Sequence, residues 1–88
     1  MTANVEPPEN RRKRLLWRAS HRGIREMDLI LGGFAEARID AMTPAELDQL
    51  EAVIELPDQE LLAWATRQEP VPIHRRSPLL DEILDFRP

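Results

Sequence analysis

Apolar residues recur along this chain at the three- and four-residue spacing of helices that bury one face. The first such stretch begins near Asn10, a residue that can cap a helix, and is expected to end near His21. A second stretch starts after Gly23, where a tight corner needs backbone freedom, and runs to about Met42. The predicted inward positions of these two helices are Leu15, Leu16, Ala19, Ile24, Met27, Leu31, Phe34 and Ala35.

Three further helices are predicted from their start signals. Thr43 and Glu46 can form a capping box around Pro44, which suits the first helical position. Asp58 is expected to cap a fourth helix that ends near Gln68, and Ser77-Pro78 repeats the combination of cap and proline. The predicted inward positions are Leu47, Leu50, Val53, Ile54, Leu61, Leu62, Trp64, Ala65, Leu79, Leu80, Ile83 and Leu84.

The pattern therefore predicts an all-α protein, a compact five-helix bundle, because no segment shows sustained strand alternation and the connections are short. Residues 10–86 are expected to form a single helical domain, and residues 1–9, with two adjacent prolines, are expected to be a flexible tail. Gly32-Gly33 falls in the middle of the second helix, where each glycine costs roughly 1 kcal/mol relative to alanine. Either packing compensates for that cost or the helix bends there.

Composition narrows the class of protein. The chain is 42% hydrophobic and 32% charged, which is typical of a soluble globular domain and too charged for a membrane protein. It has no cysteine, and its N-terminal region lacks the apolar stretch of a signal peptide. We expect a cytoplasmic protein that is not inserted into a membrane.

Little in the sequence indicates catalysis or a bound cofactor. Ser20-His21 is the closest nucleophile and base, but adjacent helical residues point about 100° apart. His21 and His74 have no metal-ligand spacing, and Gly32-Gly33 is not a nucleotide-binding glycine loop. We therefore expect no enzyme, no metal site and no stably bound cofactor.

Basic residues are concentrated near the N-terminus although the formal net charge is −4. Residues 1–25 carry seven basic and two acidic side chains, whereas residues 26–69 carry two basic and eleven acidic ones. The run Arg11-Arg12-Lys13-Arg14, continued by Arg18, Arg22 and Arg25, resembles a nucleic-acid surface. The acidic overall balance favours instead a solvated helix face or a protein-docking patch, and we expect no nucleic-acid partner. The alternative function is that of a small helical regulator that binds nucleic acid or another protein through its basic first helix.

The segment Arg22-Gly23-Ile24-Arg25-Glu26-Met27-Asp28 combines a glycine corner with charges at the start of a helix. A glycine lets the backbone of a partner approach closely, and Arg22 can offer bidentate donors. Glu26 lies in the first helical turn, where a negative charge is favoured. The same residues also fit an ordinary corner between two helices.

At this point the sequence resembles the succinate dehydrogenase assembly factor 2 family, whose hallmark is an RGxxE motif. Arg22, Gly23 and Glu26 fill that motif. The resemblance covers roughly residues 11–68 and includes Leu15-Leu16-Trp17-Arg18, Glu26-Met27-Asp28-Leu29, Phe34-Ala35, Pro57-Asp58, Leu61 and Trp64. Departures are the extra glycine of Gly32-Gly33 and the segment after Pro70, which shows no usable resemblance.

The resemblance implies a five-helix chaperone that binds the flavoprotein subunit of succinate dehydrogenase, and in some bacteria that of fumarate reductase. It also implies that the factor promotes covalent attachment of FAD to that subunit, and we expect it to act as a monomer. The partner-binding residues implied are Arg22, Gly23 and Glu26, with Arg18, Arg25 and Asp28 flanking them. Trp64 is expected in the core, whereas Trp17 fits a core position and a surface anchor equally well.

Overall fold

Helices separated by short turns make up the protein, and no strand occurs among residues 6–88, the part that the computed structural model describes. This confirms the predicted all-α, five-helix architecture. The helices are α1 (Pro8–Ser20), α2 (residues 25–38, followed by a 3-10 turn, Ile39–Ala41), α3 (Pro44–Ile54), α4 (Asp58–Ala65) and α5 (Pro78–Asp85), with a second 3-10 turn at Ile73–Arg75 between α4 and α5.

Helix α1 begins at Pro8, two residues before the predicted cap Asn10. The N-cap position is Pro7, and Pro8 occupies the first helical position. Proline is tolerated there because a backbone N–H at that position would have no acceptor within the helix. Glu6 pairs with Arg14 one and a half turns into the helix at 2.8 Å. The predicted flexible tail over residues 1–9 therefore extends too far along the chain, and its first five residues lie outside the described range.

The two central glycines of α2 are explained by close packing and a change of helix type. Arg25–Met27 and Gly33–Arg38 are α-helical, and Asp28–Gly32 between them is a π turn. A Cβ on Gly32 would lie 2.9 Å from Ser20 Cα, so α1 crosses α2 at a distance that a side chain would prevent. A Cβ on Gly33 would lie 2.9 Å from the Phe86 ring. Packing thus offsets the poor helix propensity of both glycines.

The start signals of two later helices are confirmed. The Thr43 hydroxyl accepts the Glu46 N–H at 3.2 Å, and the Glu46 carboxylate accepts the Thr43 N–H at 2.9 Å, completing the capping box. Ser77 accepts the Leu80 N–H ahead of α5. Helix α4 ends at Ala65, three residues before the predicted Gln68.

One hydrophobic core runs through all five helices. Nearly all predicted inward positions are buried, including Trp64 at 6% exposure, and Leu16, Ile24 and Leu62 are partly buried against the same core. No buried residue in the described part of the chain is polar or charged. Apolar burial is therefore the main stabilising contribution, and charged groups act at the surface and at the corners.

Candidate partner-docking surface

Residues 21–24 form the corner between α1 and α2, and the Arg22 side chain points into the protein from it. The Arg22 side chain is 9% exposed. Its Nη1 donates to the Ile54 carbonyl at 2.6 Å, its Nη2 to the Leu56 carbonyl at 2.8 Å, and its Nε to Asp58 Oδ1 at 2.7 Å. All three nitrogens of this guanidinium, which the resemblance implies to be a partner contact, therefore bind groups of the same chain, and its role in partner binding stays a prediction.

The acceptors of Arg22 belong to the turn between α3 and α4. Ile54 is the last residue of α3, and the final carbonyls of a helix have no intrahelical partner. A guanidinium has five donors in a planar fork, and here it binds the Ile54 carbonyl, the Leu56 carbonyl in the following turn and one carboxylate. Arg22 thus fixes the α1–α2 corner against the α3–α4 turn.

Asp58 is the second component of this arrangement, and its predicted role as a helix cap is wrong. The N-cap of α4 is Pro57, and Asp58 is the first helical residue, where a negative charge interacts favourably with the helix end. One carboxylate oxygen accepts from Arg22 Nε, and the other accepts the Gly23 N–H at 3.3 Å. The pattern around Pro57 predicted the helix start, but no sequence signal connected Asp58 to a residue 36 positions earlier.

Asp28 stabilises the corner from the other side. Its Oδ1 accepts the backbone N–H of Arg22 in a short hydrogen bond, and the residue is half-buried. It was expected to be a flanking partner contact, but the structure shows that this oxygen binds the chain's own backbone. Asp28 and Asp58 together hold the backbone of Arg22 and Gly23.

Gly23 is exposed, and nothing within the described residues requires a glycine there. Its φ is not positive, so the backbone conformation is open to other residues, contrary to the expected need for freedom at this corner. A Cβ on Gly23 would have its nearest neighbour, Asp58 Oδ2, at 3.9 Å, which is an ordinary contact. The missing side chain leaves a flat, exposed piece of backbone held on both sides by carboxylates.

Of the other predicted site residues, Arg25 and Glu26 are exposed in the first turn of α2. Within residues 6–88 neither side chain forms a hydrogen bond or an ion pair. Arg18 pairs with Glu55 at 2.9 Å and is partly exposed. The corner therefore separates into positioning groups, Arg22 and Asp28, and groups that face solvent, Gly23, Arg25 and Glu26.

An aromatic pair lies where α1 meets this corner. Trp17 is 61% exposed, which decides between the two interpretations of this residue in favour of the surface. Its ring stacks on His21, with centroids 4.2 Å apart and planes at 14°. His21 Nδ1 lies 2.8 Å from the Trp17 carbonyl oxygen, so the imidazole is occupied within α1 rather than poised beside Ser20. No cluster of ligands suited to a metal ion occurs in the described range.

The basic run of α1 is largely neutralised by the protein itself. Arg11 pairs with Asp48 and Glu51, and Arg14 pairs with Glu6 and Glu51. Arg12 donates to the carbonyls of Ile39 and Met42 beyond the end of α2. Three of the arginines that resembled a nucleic-acid surface therefore bind groups of the same chain and connect α1 to α3 and to the end of α2. The absence of a nucleic-acid partner stays a prediction.

The ion pairs between α1 and α3 shift the ionisation of their members. Hydrogen bonding to Asp48 and Glu51 raises the pKa of Arg11, and hydrogen bonding to Glu6 and Glu51 raises that of Arg14, with burial opposing both shifts. Burial acts to raise the pKa of Glu51, but hydrogen bonds and charge from Arg11 and Arg14 outweigh it and lower that pKa below its ordinary value. The Glu51 carboxylate thus stays ionised between two guanidinium groups.

A family model described as flavinator of succinate dehydrogenase matches residues 13–87. The chain belongs to this family. The match extends beyond residue 68, so the segment after Pro70 also belongs to the family pattern, contrary to the sequence-based expectation.

Similar proteins bear two names, FAD assembly factor and succinate dehydrogenase assembly factor 2. The FAD assembly factor SdhE of Acetobacter pasteurianus is 43% identical over 75 residues, which cover 85% of this chain and 69% of the relative. The mitochondrial succinate dehydrogenase assembly factor 2 of Candida glabrata is 35% identical over 85 residues, covering 92% of this chain and 56% of the relative. That of Yarrowia lipolytica is 34% identical over 85 residues, covering 92% and 59%. The chain thus spans little more than half the length of these two yeast relatives.

No helix in the range 6–88 combines the length and the apolar character needed to cross a bilayer.

Proposed function

We propose that this protein is a non-catalytic assembly factor that binds the flavoprotein subunit of succinate dehydrogenase and promotes covalent attachment of FAD to a histidine of that subunit. The proposal is supported by membership of the flavinator family and by relatives named as FAD assembly factors and succinate dehydrogenase assembly factors. In this proposal the covalent bond forms on the partner, and the factor supplies no reacting group.

The observation that carries the proposed site is the environment of Gly23. The position is exposed, its backbone conformation is ordinary, and a Cβ would meet nothing closer than 3.9 Å. Within residues 6–88, no contact therefore accounts for a glycine at the second position of the RGxxE motif. Close approach of a partner's backbone is a physical reason for the missing side chain.

The residues of the motif take different roles in this proposal. Arg22 holds the corner in place from inside, with Asp28 and Asp58 fixing the backbone around it. Gly23 and Glu26 form the contact surface, with Arg25 and the outer part of Arg18 at its edge. Because the corner is already rigid, docking needs little ordering of this segment, which favours affinity.

Docking would promote flavin attachment by positioning. Holding two reacting groups in the correct geometry and excluding water from them accelerates a reaction without any catalytic side chain on the docked protein. The proposal includes no cofactor bound stably by the factor itself. A monomeric state, action on fumarate reductase and location in the cytoplasm remain predictions within the same proposal.

The test measures covalent flavin on the flavoprotein subunit as in-gel fluorescence after denaturation, in cells with and without this gene. We expect deletion to abolish or strongly reduce the signal and the wild-type chain to restore it. Gly23→Arg should not restore it, whereas Ala37→Arg should, because Ala37 is an exposed residue in the distal half of α2. Glu26→Ala should restore less signal than Glu36→Ala, a matched exposed glutamate on the same helix.

The results of these experiments distinguish an error in the proposed docking surface from an error in the proposed function. If folded Gly23→Arg and Glu26→Ala restored the full signal, the corner would not be the docking surface. If deletion left covalent flavin unchanged, the proposed function would be wrong for that flavoprotein. Circular dichroism of the purified variants checks folding, and an exposed first-turn glutamate contributes only about 0.3–1 kcal/mol to the helix.

A further inference from the structure

Trp17 is a large apolar side chain left in solvent by a protein that buries its other tryptophan. The residue is 61% exposed, although Leu15 and Ala19 on the same helix are fully buried. Tryptophan is enriched among the residues that dominate binding energy at protein interfaces. Exposure alone does not show what kind of group binds the ring, whereas the side chains around the ring do.

The Trp17 ring is held in place before any partner binds. His21, one turn later, stacks on it at 4.2 Å with nearly parallel planes. His21 is itself fixed by the 2.8 Å contact between its Nδ1 and the Trp17 carbonyl oxygen. Two side chains with restricted rotamers lose little conformational entropy when a partner covers them. The pair is therefore a rigid aromatic surface rather than a mobile side chain.

This aromatic pair is continuous with the surface around Gly23. Trp17 and His21 line a shallow open cleft together with Arg18, Arg22 and Asp58. Asp58 is also the residue that accepts the Gly23 N–H, and its Oδ2 is the nearest neighbour of the position that a Gly23 Cβ would occupy. Asp58 therefore borders both Gly23 and the cleft, so a partner surface that covers Gly23 also contacts the edge of the cleft.

The cleft also has a defined chemistry. A carbonyl oxygen can only accept, so His21 Nδ1 carries the hydrogen in this contact, and Nε2 of the neutral ring is an acceptor. The walls are one aromatic stack, the Asp58 carboxylate and two arginines whose charges are already paired with Glu55 and Asp58. Such a cleft suits an apolar side chain with a nearby N–H or O–H donor better than an anion.

We infer that Trp17 and His21 form an aromatic anchor that docks against the flavoprotein subunit next to the backbone contact at Gly23, seating an apolar side chain of that subunit in the cleft. The inference rests on the proposed function and extends its docking surface along α1. The corner supplies close backbone approach, and the aromatic pair supplies buried apolar area, which is the usual source of affinity at the centre of an interface.

The first experiment measures the dissociation constant of the purified factor for the flavoprotein subunit. Trp17→Ala should weaken binding by about 30-fold or more, the loss typical of a dominant interface residue, and Trp17→Phe should weaken it less. Ile73→Ala is the matched control, because Ile73 is 88% exposed and should contribute nothing to binding. Trp17→Ala leaves the core intact, so circular dichroism should show an unchanged fold.

The second experiment reports burial of the ring directly. The factor is labelled with 5-fluorotryptophan, and the fluorine resonance of Trp17 is assigned as the one missing from Trp17→Phe. In the free protein this resonance should shift between H2O and D2O because the ring is exposed, and that solvent shift should disappear in the complex. The resonance of Trp64, which is buried already, should show little solvent shift in either state.

Three results would overturn the inference. If the wild-type factor did not bind the flavoprotein subunit, both this inference and the proposed function would fail. If it bound and Trp17→Ala bound equally well with the solvent shift retained, the proposed function would stand and the aromatic anchor would be wrong. If free FAD alone perturbed the Trp17 resonance as the complex does, the cleft would be a flavin site rather than a protein-docking site.

Discussion

Replacing Arg22 by alanine should destabilise the fold, although the residue belongs to a motif that sequence reasoning assigned to partner contact. The substitution removes hydrogen bonds to the Ile54 and Leu56 carbonyls and the ion pair with Asp58. The Ile54 carbonyl at the end of α3 and the Leu56 carbonyl in the following turn each lose a donor. The Asp58 side chain, 20% exposed, loses its cationic partner.

The size of the expected loss in free energy of unfolding follows from the burial of Arg22 and Asp58. Removing one partner of a buried ion pair costs about 3–5 kcal/mol, and partial rehydration of Asp58 lowers this to about 2–4 kcal/mol. A chain of 88 residues has a free energy of unfolding of about 4–13 kcal/mol. At about 4–8 °C per kcal/mol for a domain of this size, the expected decrease in Tm is about 8–32 °C.

Urea and thermal unfolding, followed by circular dichroism, measure this effect. Arg25→Ala is the matched control, since Arg25 is an exposed arginine three residues away and its removal should change the free energy of unfolding by less than about 0.5 kcal/mol. Arg22→Lys should fall between wild type and Arg22→Ala, because one ammonium cannot reproduce the planar fork. A double-mutant cycle with Asp58→Ala should give a coupling energy of about 0.5–3 kcal/mol.

A specific result would refute this reasoning. If Arg22→Ala kept the Tm of the wild type to within about 2 °C and yet lost binding to the flavoprotein subunit, the guanidinium would be a partner contact. The internal hydrogen bonds of Arg22 would then contribute nothing to stability in solution. A stability loss without any change in affinity, measured at a temperature where the variant is folded, would support the positioning role.

Further predictions concern the α1–α2 crossing and the ion pairs of α1. Gly32→Ala should lower the free energy of unfolding by about 1–3 kcal/mol, because its Cβ would lie 2.9 Å from Ser20 Cα in the backbone of α1. Gly33→Ala should change it by less than about 1 kcal/mol, since the close neighbour is the Phe86 ring, which can move, and alanine favours the helix; equal losses in urea unfolding would contradict this distinction. Glu51, whose folded-state pKa is lowered from 4.5, should stabilise the protein above that pH, and this contribution should be lost as the pH falls through the folded-state value. Glu51→Gln should therefore reduce the dependence of stability on pH on the acid side, and an unchanged dependence would mean that the pairs with Arg11 and Arg14 do not persist in solution.

Much of the fold could be predicted from the sequence because its signals are local. The Thr43–Glu46 capping box and the Ser77-Pro78 start depend on atoms within about one helical turn, so the same residues produce them in any context. The apolar spacing predicted the buried face of every helix, since burial of one face is the dominant stabilising effect. The RGxxE motif and the residues around it were sufficient to indicate the family.

The roles of the site residues depended on contacts between distant parts of the chain. Arg22 binds groups 32 to 36 residues later, and Asp58 was interpreted as a helix cap because its own neighbourhood gave no sign of Arg22. The sequence did not decide whether Trp17 is buried or exposed, because the residue falls at the border between the apolar and polar faces of α1. The sequence by itself determined the helices and the family, since these follow from short-range patterns. Only the tertiary structure decided which motif residues hold the corner and which face solvent, because that division is set by the packing of α3 and α4 against the end of α1.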